Sequence, residues 1–424
     1  MSELEESPLA AGDLQLTVAQ ARAAIAGLLR PVTDTQQLPL REALGRVLAE
    51  DLISPIDVPA HDNSAMDGYA FSGDGLDGAG ITRLRVVGTL YAGAPHTGDV
   101  GRGECLRIMT GAVMPSSLDT VVPLELCRSE ADQVLIEPGV IRVGENRRRC
   151  GEDLQAGLPA LRRGRRLRPA DLGLIASLGV ATVTVLRPLR VALFSTGDEL
   201  RTLGQTLDPG CVYDSNRTSL FGALQRLGME VIDLGVVADD RTALHAALQA
   251  AVAQADVVLT SGGVSMGDAD CTRQVLADMG EVSFWKVAMR PGRPFAFGTL
   301  RRPGGLPPSW LFALPGNPVA ALVTYYVLAR DALLQLAGAD PQPLPTLQAR
   351  CSTAIRKRPG RTEFQRAVVE PTVQGQWQVR LTGPQGAGVL RSMSEANALL
   401  VLGHDQGSVA AGDMVEVWLF DGLV

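Results

Sequence analysis

The sequence predicts a multidomain α/β plus β protein, centred on a parallel-sheet α/β cofactor-binding domain over residues 187–336. Three observations carry that prediction. Strand-like apolar runs alternate with helical patterns across 191–329, which implies parallel strands joined by crossover helices. At 424 residues the chain exceeds one ordinary domain, so two to four are expected. Gly/Pro-rich stretches with short β-type runs lie on either side, at 59–137 and 346–424.

The elements follow in chain order. Leu14, Val18, Ala21, Ile25, Leu28 and Leu29 recur at helical spacing, and Pro31 closes that helix. Residues 40–52 suggest a second, shorter helix before Pro55. Short β-type runs at 84–87, 105–109, 120–123 and 134–136 predict a small β-rich module. Residues 142–168 are rich in arginine and poor in apolar runs, and 171–181 reads as a helix with Leu172, Ile175, Ala176 and Leu178 on its buried side. After a boundary at 187–190 come a buried strand at 191–194, a helix at 215–227 stopped by Gly228, a strand at 230–237, a helix at 241–255 and a strand at 256–260. A further strand, 310–314, leads into Pro315, Gly316, Asn317 and a long helix. Residues 341–345 (PQPLP) form a stiff linker to a small C-terminal β domain.

Composition excludes several classes. The net charge of −7 argues against a general nucleic-acid surface. The apolar run 319–329 is short of the ~20 residues a membrane span needs, and the acidic start Ser2-Glu3-Leu4-Glu5-Glu6 is unlike a secretory signal, so a cytoplasmic protein with no membrane partner is expected. The six cysteines form no C-x-x-C pair, which argues against a zinc or redox motif. Of 39 Lys plus Arg, only Lys286 and Lys357 are lysine.

Three loops are predicted to leave the α/β sheet at one edge: 195–199 (Ser195, Thr196, Gly197), 261–270 (Gly262, Gly263, Ser265) and 314–318 (Pro315, Gly316, Asn317). Ligands bind beyond the carboxyl ends of such strands. Glycines let the backbone approach a phosphate, and the helix start after 317 adds N–H groups and dipole. Asp198, Glu199, Asp214, Asp239, Asp240, Asp268 and Asp270 fall at or after strand ends. Some are helix caps, as Asp240 before Arg241 is expected to be. The surplus beside a phosphate site implies Mg²⁺. Lys286, Arg290 and Arg293 form an oxyanion clamp or a solvated basic loop. Asp62-Asn63-Ser64-Ala65-Met66-Asp67-Gly68-Tyr69-Ala70 reads as an Asx-rich turn.

Taken in order, DNSAMDGYA (62–70), RIMTGA (107–112), GED (151–153), STGDEL (195–200), YDSNR (213–217), SGGVSMGDAD (261–270), PGRPF (291–295) and LPGNPV (314–319) resemble the molybdopterin molybdenumtransferase family of molybdenum insertases, MoeA and the gephyrin E domain. The resemblance implies an elongated homodimer. Each chain would hold a discontinuous helical domain (1–54 and 145–186), an inserted β-rich module (55–144), an α/β molybdopterin-binding domain (187–336) and a C-terminal β domain (337–424). It implies that molybdenum from molybdate is placed on adenylylated molybdopterin, with Mg²⁺-assisted cleavage of the pyrophosphate link and release of AMP. Carried over by position, Glu199, Asp239 and Asp270 would hold Mg²⁺, and Gly262, Gly263 and Ser265 would line the pterin–phosphate pocket. Asp62, Thr110, Arg148 and Asp153 would come from the partner subunit. Lys286, Arg290 and Arg293, with Arg366 and Ser392, would surround molybdate. Many relatives carry lysine at Arg290 and Arg293. Other molybdenum cofactor biosynthesis proteins would be further partners. The competing expectations are an adenylyltransferase that activates molybdopterin, and a scaffold in which the fold serves protein association.

Overall fold

In a computed structural model, residues 14–94, 96–263, 269–342 and 344–420 are described, without the side chains of 14 and 269–271. Two compact units emerge: Met1–Ala49 with Gly164–Pro169 and Val183–Val424, and Glu50–Arg163 with Ala170–Thr182.

The first unit holds a seven-stranded sheet. Its order is Leu14–Leu16, Gly280–Val287, Pro294–Leu300, Ser309–Leu314, Val257–Ser261, Arg190–Thr196 and Glu230–Val237. The last four run parallel in register, with Ser195 opposite Ser261 and Ser261 opposite Leu314, so their carboxyl ends share one edge. Burial on both faces explains their unbroken apolar runs: every residue of Val191–Thr196 is buried. The sheet is mixed, however. Pro294–Leu300 is antiparallel to both neighbours. Residues 288–293 and 301–308 are too short for the crossover of a dozen or more residues that a parallel return needs.

Helices cover both faces. On one, Ala21 and Ile25 of Val18–Leu28 and Leu220 and Leu224 of Ser215–Arg226 pack with Val191, Leu193 and Phe312. On the other, Leu244, Leu248 and Val252 of Arg241–Gln254 meet Ala192, Phe194 and Val258. Thr17 caps the first helix with a reciprocal capping box to Gln20. From Pro318 to Leu336 runs a continuous helix with a π segment at Tyr325–Ala329. It is long and apolar enough to cross a membrane, but 72% of its most apolar window is buried inside the fold, as for a core helix.

The C-terminal strands form a closed barrel. Thr362–Pro371 pairs with both Trp377–Leu381 and Ala398–Leu402, and the ring is completed through Thr346–Cys351 and Met414–Leu419. Met289 and Arg290 add a short parallel strand against Thr362 and Glu363, joining the barrel to the α/β sheet.

In the second unit a six-stranded sheet runs Thr120–Pro123, Gly68–Phe71, Glu104–Ile108, Thr82–Leu90, Gln133–Ile136 and Cys127–Glu130. Helices are fewer than the sequence suggests. The helix expected over 40–52 is only a 3-10 turn, Leu40–Glu42, because Gly45 turns left-handed at φ +74° and residues 47 and 48 bridge to Arg166 and Val185. The helix expected at 171–181 is Pro169–Ser177, ended by Gly179 at φ +73°, and Ala176 is exposed. Among the described residues it is the one α-helix of 145–186.

Candidate functional site

A cavity of about 570 Å³ opens at the shared carboxyl edge of the parallel strands. The 195–199 loop brings Thr196 and Glu199 to it, and the strand end after Val237 brings Asp239. Gly262 and Gly263 form a second wall, and Gly316 and Asn317 a third. Asp214 lies at its edge. These are the three loops read from the sequence, and register explains their convergence. Ser265 and the side chain of Asp270 lie outside the described residues.

Two glycines stand out by their backbone geometry. A Cβ on Gly262 would sit 2.5 Å from the Thr196 carbonyl oxygen, and the residue is at φ +98°. One on Gly197, at φ +153°, would sit 2.7 Å from the Glu199 carboxylate. Gly262 therefore holds the 195–199 and 261–263 loops closer than any other residue allows, whereas the Glu199 side chain could swing away from a Cβ at Gly197. The Thr196 hydroxyl, buried at this junction, has no hydrogen-bond partner among the described residues.

A polar network fixes the rim from behind. Ser195 Oγ donates to Asp214 Oδ1 at 3.0 Å. Asp214, 2% exposed, caps its helix by accepting from the Arg217 amide and receives Arg217 Nε at 2.9 Å. Asn216 Nδ2 donates to Ser261 Oγ at 2.7 Å and to the Gly316 carbonyl at 2.6 Å, tying two loops with one amide. Ser261 Oγ donates in turn to the Pro315 carbonyl.

The surplus of acids thus divides by job. Asp240 caps its helix through the Thr242 and Ala243 amides, as expected. Asp198 accepts from the Asp239 amide at 3.1 Å. Asp214 is structural. Glu199 and Asp239 line the cavity beside these two caps, Asp214 and Asp240. Among the described residues no group of three or more His, Cys, Asp and Glu is clustered as a metal site. The helix start after Asn317 is less available to an anion than the sequence suggests. Pro318 has no N–H, and the Val319 amide donates to the Ala387 carbonyl at 3.0 Å.

The basic residues do not line this cavity. Lys286 is half-buried on its strand, and Arg290 and Arg293 are exposed in the 288–293 hairpin. Arg366 is 1% exposed; its guanidinium donates to Ser392 Oγ and to the carbonyls of Pro384, Gln385 and Gly386. Burial first, then the charge of Arg290, pushes its pKa down to about 10. Arg366 thereby latches the loop whose Gly388 forms part of the cavity wall.

The second unit gathers its own motifs. Asp62 receives the Cys150 amide at 2.7 Å and the Arg147 guanidinium. The Cys150 amide foremost, and Arg147 against the opposing cost of burial, hold the Asp62 carboxyl below its ordinary range. Thr110 donates from amide and hydroxyl, both at 2.7 Å, to Asp67 Oδ1. Arg148 pairs with Glu152, and Asp153 is exposed. The 62–67 turn, the 110–114 turn and the 146–150 segment are knitted by Gly111 N to Ser64 O, Met114 N to Asp62 O and Ala65 N to Asn146 O.

Sequence reasoning missed Thr272, Asn216 as a tie, and Gly388 as wall residues. Asn216 lay within the quoted YDSNR motif; the other two read as ordinary helix and loop.

Comparison with known proteins identifies the family. Residues 16–179 match the MoeA N-terminal region (domain I and II), 192–335 a "Probable molybdopterin binding domain", and 348–420 the MoeA C-terminal region (domain IV). The chain is 40% identical over 410 residues to the molybdopterin molybdenumtransferase of Haemophilus influenzae, covering 96% of this chain and all of that one. It is 36% identical over 399 residues to molybdopterin molybdenumtransferase 2 of Mycobacterium tuberculosis, covering 92% and 95%. The molybdopterin biosynthesis moeA protein of Pyrococcus horikoshii OT3 superposes with a TM-score of 0.80 at 26% identity, over 96% of this chain and all of that one. The chain belongs to the molybdopterin molybdenumtransferase (MoeA) family, transferases of molybdenum cofactor biosynthesis.

Proposed function

We propose that the chain transfers molybdenum from molybdate to adenylylated molybdopterin, with cleavage of the pyrophosphate link and release of AMP. The observation that supports this reading is the cavity in which two glycine-lined loops and a Thr196 hydroxyl without a partner among the described residues face the carboxylates of Glu199 and Asp239. Backbone and hydroxyl donors suit phosphate oxygens. Two carboxylates beside them would repel a pyrophosphate unless a hard cation lay between.

The residues fit Mg²⁺. It takes oxygen donors, commonly one or two carboxylates completed by phosphate and water. Glu199 and Asp239 would hold it, with Asp270 as a third acid. Bound there, Mg²⁺ would neutralise charge on the phosphate oxygens as the link breaks.

The chain's own residues do the rest. Gly262 and Gly263 let the backbone approach the phosphates, and Thr196 Oγ hydrogen-bonds one of their oxygens. Asn216, Ser195 and Asp214 keep the three loops in place without touching the reacting atoms. In the cleavage a phosphorus–oxygen bond of the anhydride breaks, water oxygen bonds to phosphorus, and each phosphate fragment takes one proton; at molybdenum the two dithiolene sulfurs take the place of one molybdate oxide, which leaves with their two protons as water. Lys286, Arg290 and Arg293 attract molybdate by fixed positive charge. Arg366 and Ser392 act behind them by holding the 384–388 loop. The working form in this reading is a homodimer, with Asp62, Thr110, Arg148 and Asp153 of the partner subunit completing the site.

The test is product analysis. Protein, adenylylated molybdopterin, Mg²⁺ and molybdate are incubated together and AMP is measured. Release that requires both molybdate and Mg²⁺ is expected. Release indifferent to molybdate, or ATP consumption with unadenylylated molybdopterin, overturns the reading. Sedimentation velocity checks the dimer.

A further inference from the structure

A second cavity, of about 750 Å³, lies in the first unit and shares no lining residue with the one described above. It is walled by part of the arginine-rich segment that the proposed reaction does not use. Arg165, Arg166, Arg168, Arg226 and Arg330 line it, against one acid, Asp340. In a chain of net charge −7, this is a local concentration of the opposite sign.

Two of these guanidiniums are held in place. Arg166 donates from Nε to the Gly45 carbonyl at 3.2 Å and from Nη2 to the Arg226 carbonyl at 3.0 Å. Arg330 Nη1 donates to Asp331 Oδ1 and to the Gln342 carbonyl, each at 2.7 Å. A guanidinium has five N–H donors, so these bonds orient each group and leave others over. Burial, and then the facing charge of Arg330, hold the Arg166 pKa below its ordinary value. An anion between the two would relieve that repulsion.

The remaining wall is mostly aliphatic and proline side chains, with three aromatic rings among them. Tyr326 and Phe420 are stacked, with centroids 5.5 Å apart and planes at 18°, and Tyr325 meets Tyr326 edge-on. Fixed arginines beside stacked rings are the combination that takes a flat heterocycle carrying phosphate: the rings stack the base, and the guanidiniums take the phosphate oxygens in a fork. The volume is that of an ordinary small-molecule site.

We propose that this cavity is a second ligand site, for a small organic phosphate of nucleotide type. Its position relates it to the first. Ser215 and Asn216 of Ser215–Arg226 face the first cavity, and Ala223 and Arg226 face the second. Likewise Pro318 faces the first, and Tyr325, Tyr326 and Arg330 the second. At ~1.5 Å per residue the two sites are about 10–18 Å apart along the helices they share.

Photolabelling locates the site independently of turnover. The full chain is irradiated with 8-azidoadenosine monophosphate and the labelled peptides are identified by mass spectrometry. Label on peptides containing Tyr326 or Phe420 is expected, with a share that competes with AMP and resists competition by inorganic phosphate at equal concentration. Label confined to peptides containing Thr196–Glu199 or Gly262–Gly263 overturns the proposal, as does an absence of specific label. Arg168→Glu with Arg226→Glu alters two exposed side chains. It should weaken AMP binding at the second site, read by titration calorimetry, about tenfold or more. Molybdate-dependent AMP release should persist in that variant. Unchanged calorimetric binding in a folded double variant counts against the site even if the reaction above is confirmed. Loss of AMP release with labelling intact counts against the reaction reading alone.

Discussion

Replacing Gly262 by alanine perturbs the site at one atom. The new Cβ would lie 2.5 Å from the Thr196 carbonyl oxygen and 2.8 Å from its hydroxyl. An ordinary carbon–oxygen approach is about 3.3 Å, so the loops must part by about 0.8 Å. They leave adjacent strands in register at Ser195 and Ser261, which resist that movement. The φ of +98° adds strain, since a left-handed residue with a Cβ costs about 1–2 kcal/mol. Overpacking costs about 1–3 kcal/mol more. The total destabilisation is therefore about 2–5 kcal/mol. A shift of ~1 Å in a positioned group can cost about 10²-fold in rate, so AMP release should fall by that order. Gly263→Ala is the internal control. Its Cβ meets only the Thr196 hydroxyl at 3.1 Å and Thr272 atoms at 3.5 Å or more, so strain at φ +69° is its main cost, about 1–2 kcal/mol. Urea unfolding and AMP release are measured for both. If Gly262→Ala is within 0.5 kcal/mol of the parent and turns over at the parent rate, the argument from close loop approach is refuted.

Other predictions follow from the same geometry. Glu199→Gln and Asp239→Asn should each raise the Mg²⁺ concentration needed for half-maximal AMP release while leaving the urea midpoint nearly unchanged; an unaltered Mg²⁺ requirement in both removes them from the metal site. Arg366→Gln removes the buried guanidinium's bonds to the carbonyls of Pro384, Gln385 and Gly386, which water can partly replace, and should cost about 1–3 kcal/mol, read by urea unfolding. Asp256 gives a pH test. Burial pushes its carboxyl up, but the Arg187 guanidinium at 2.6 and 2.9 Å, the Arg190 amide and the charges of Arg187 and Arg302 outweigh that and leave its pKa lowered. Its stabilisation is thus present above the unfolded carboxylate pKa of ~3.9 and lost as pH falls through the lower folded value. The stability gap between the parent and Asp256→Asn should be full at pH 7 and shrink as pH drops below about 4; a gap that is constant or widens with acid contradicts the assignment.

Much of the site could be read from the sequence because it is local. Each of the three loops follows directly on a buried apolar strand, and parallel pairing in register brings strand ends together without further information. Asp240 as a helix cap is local for the same reason. What escaped is long-range. Nothing near 288–293 says that the chain turns back antiparallel except the shortness of the link, and the pairing of Thr362–Pro371 with strands on both sides depends on residues up to Leu402. The helical pattern at 40–52 failed because Gly45 and bridges to Arg166 and Val185 override local spacing. The resemblance implies that Arg366 lies beside molybdate. Its burial against three carbonyls is visible only once the barrel closes.

The bond from Val319 N to Ala387 O has a consequence for how the chain could be divided. A fragment ending at Leu336 would retain every strand of the α/β sheet and still lack a wall of its own cavity. It would expose an amide that the intact protein covers, at the very helix start where phosphate would then compete for it. Such a truncated protein should gain anion affinity at the wrong spot as it loses the shape of the right one.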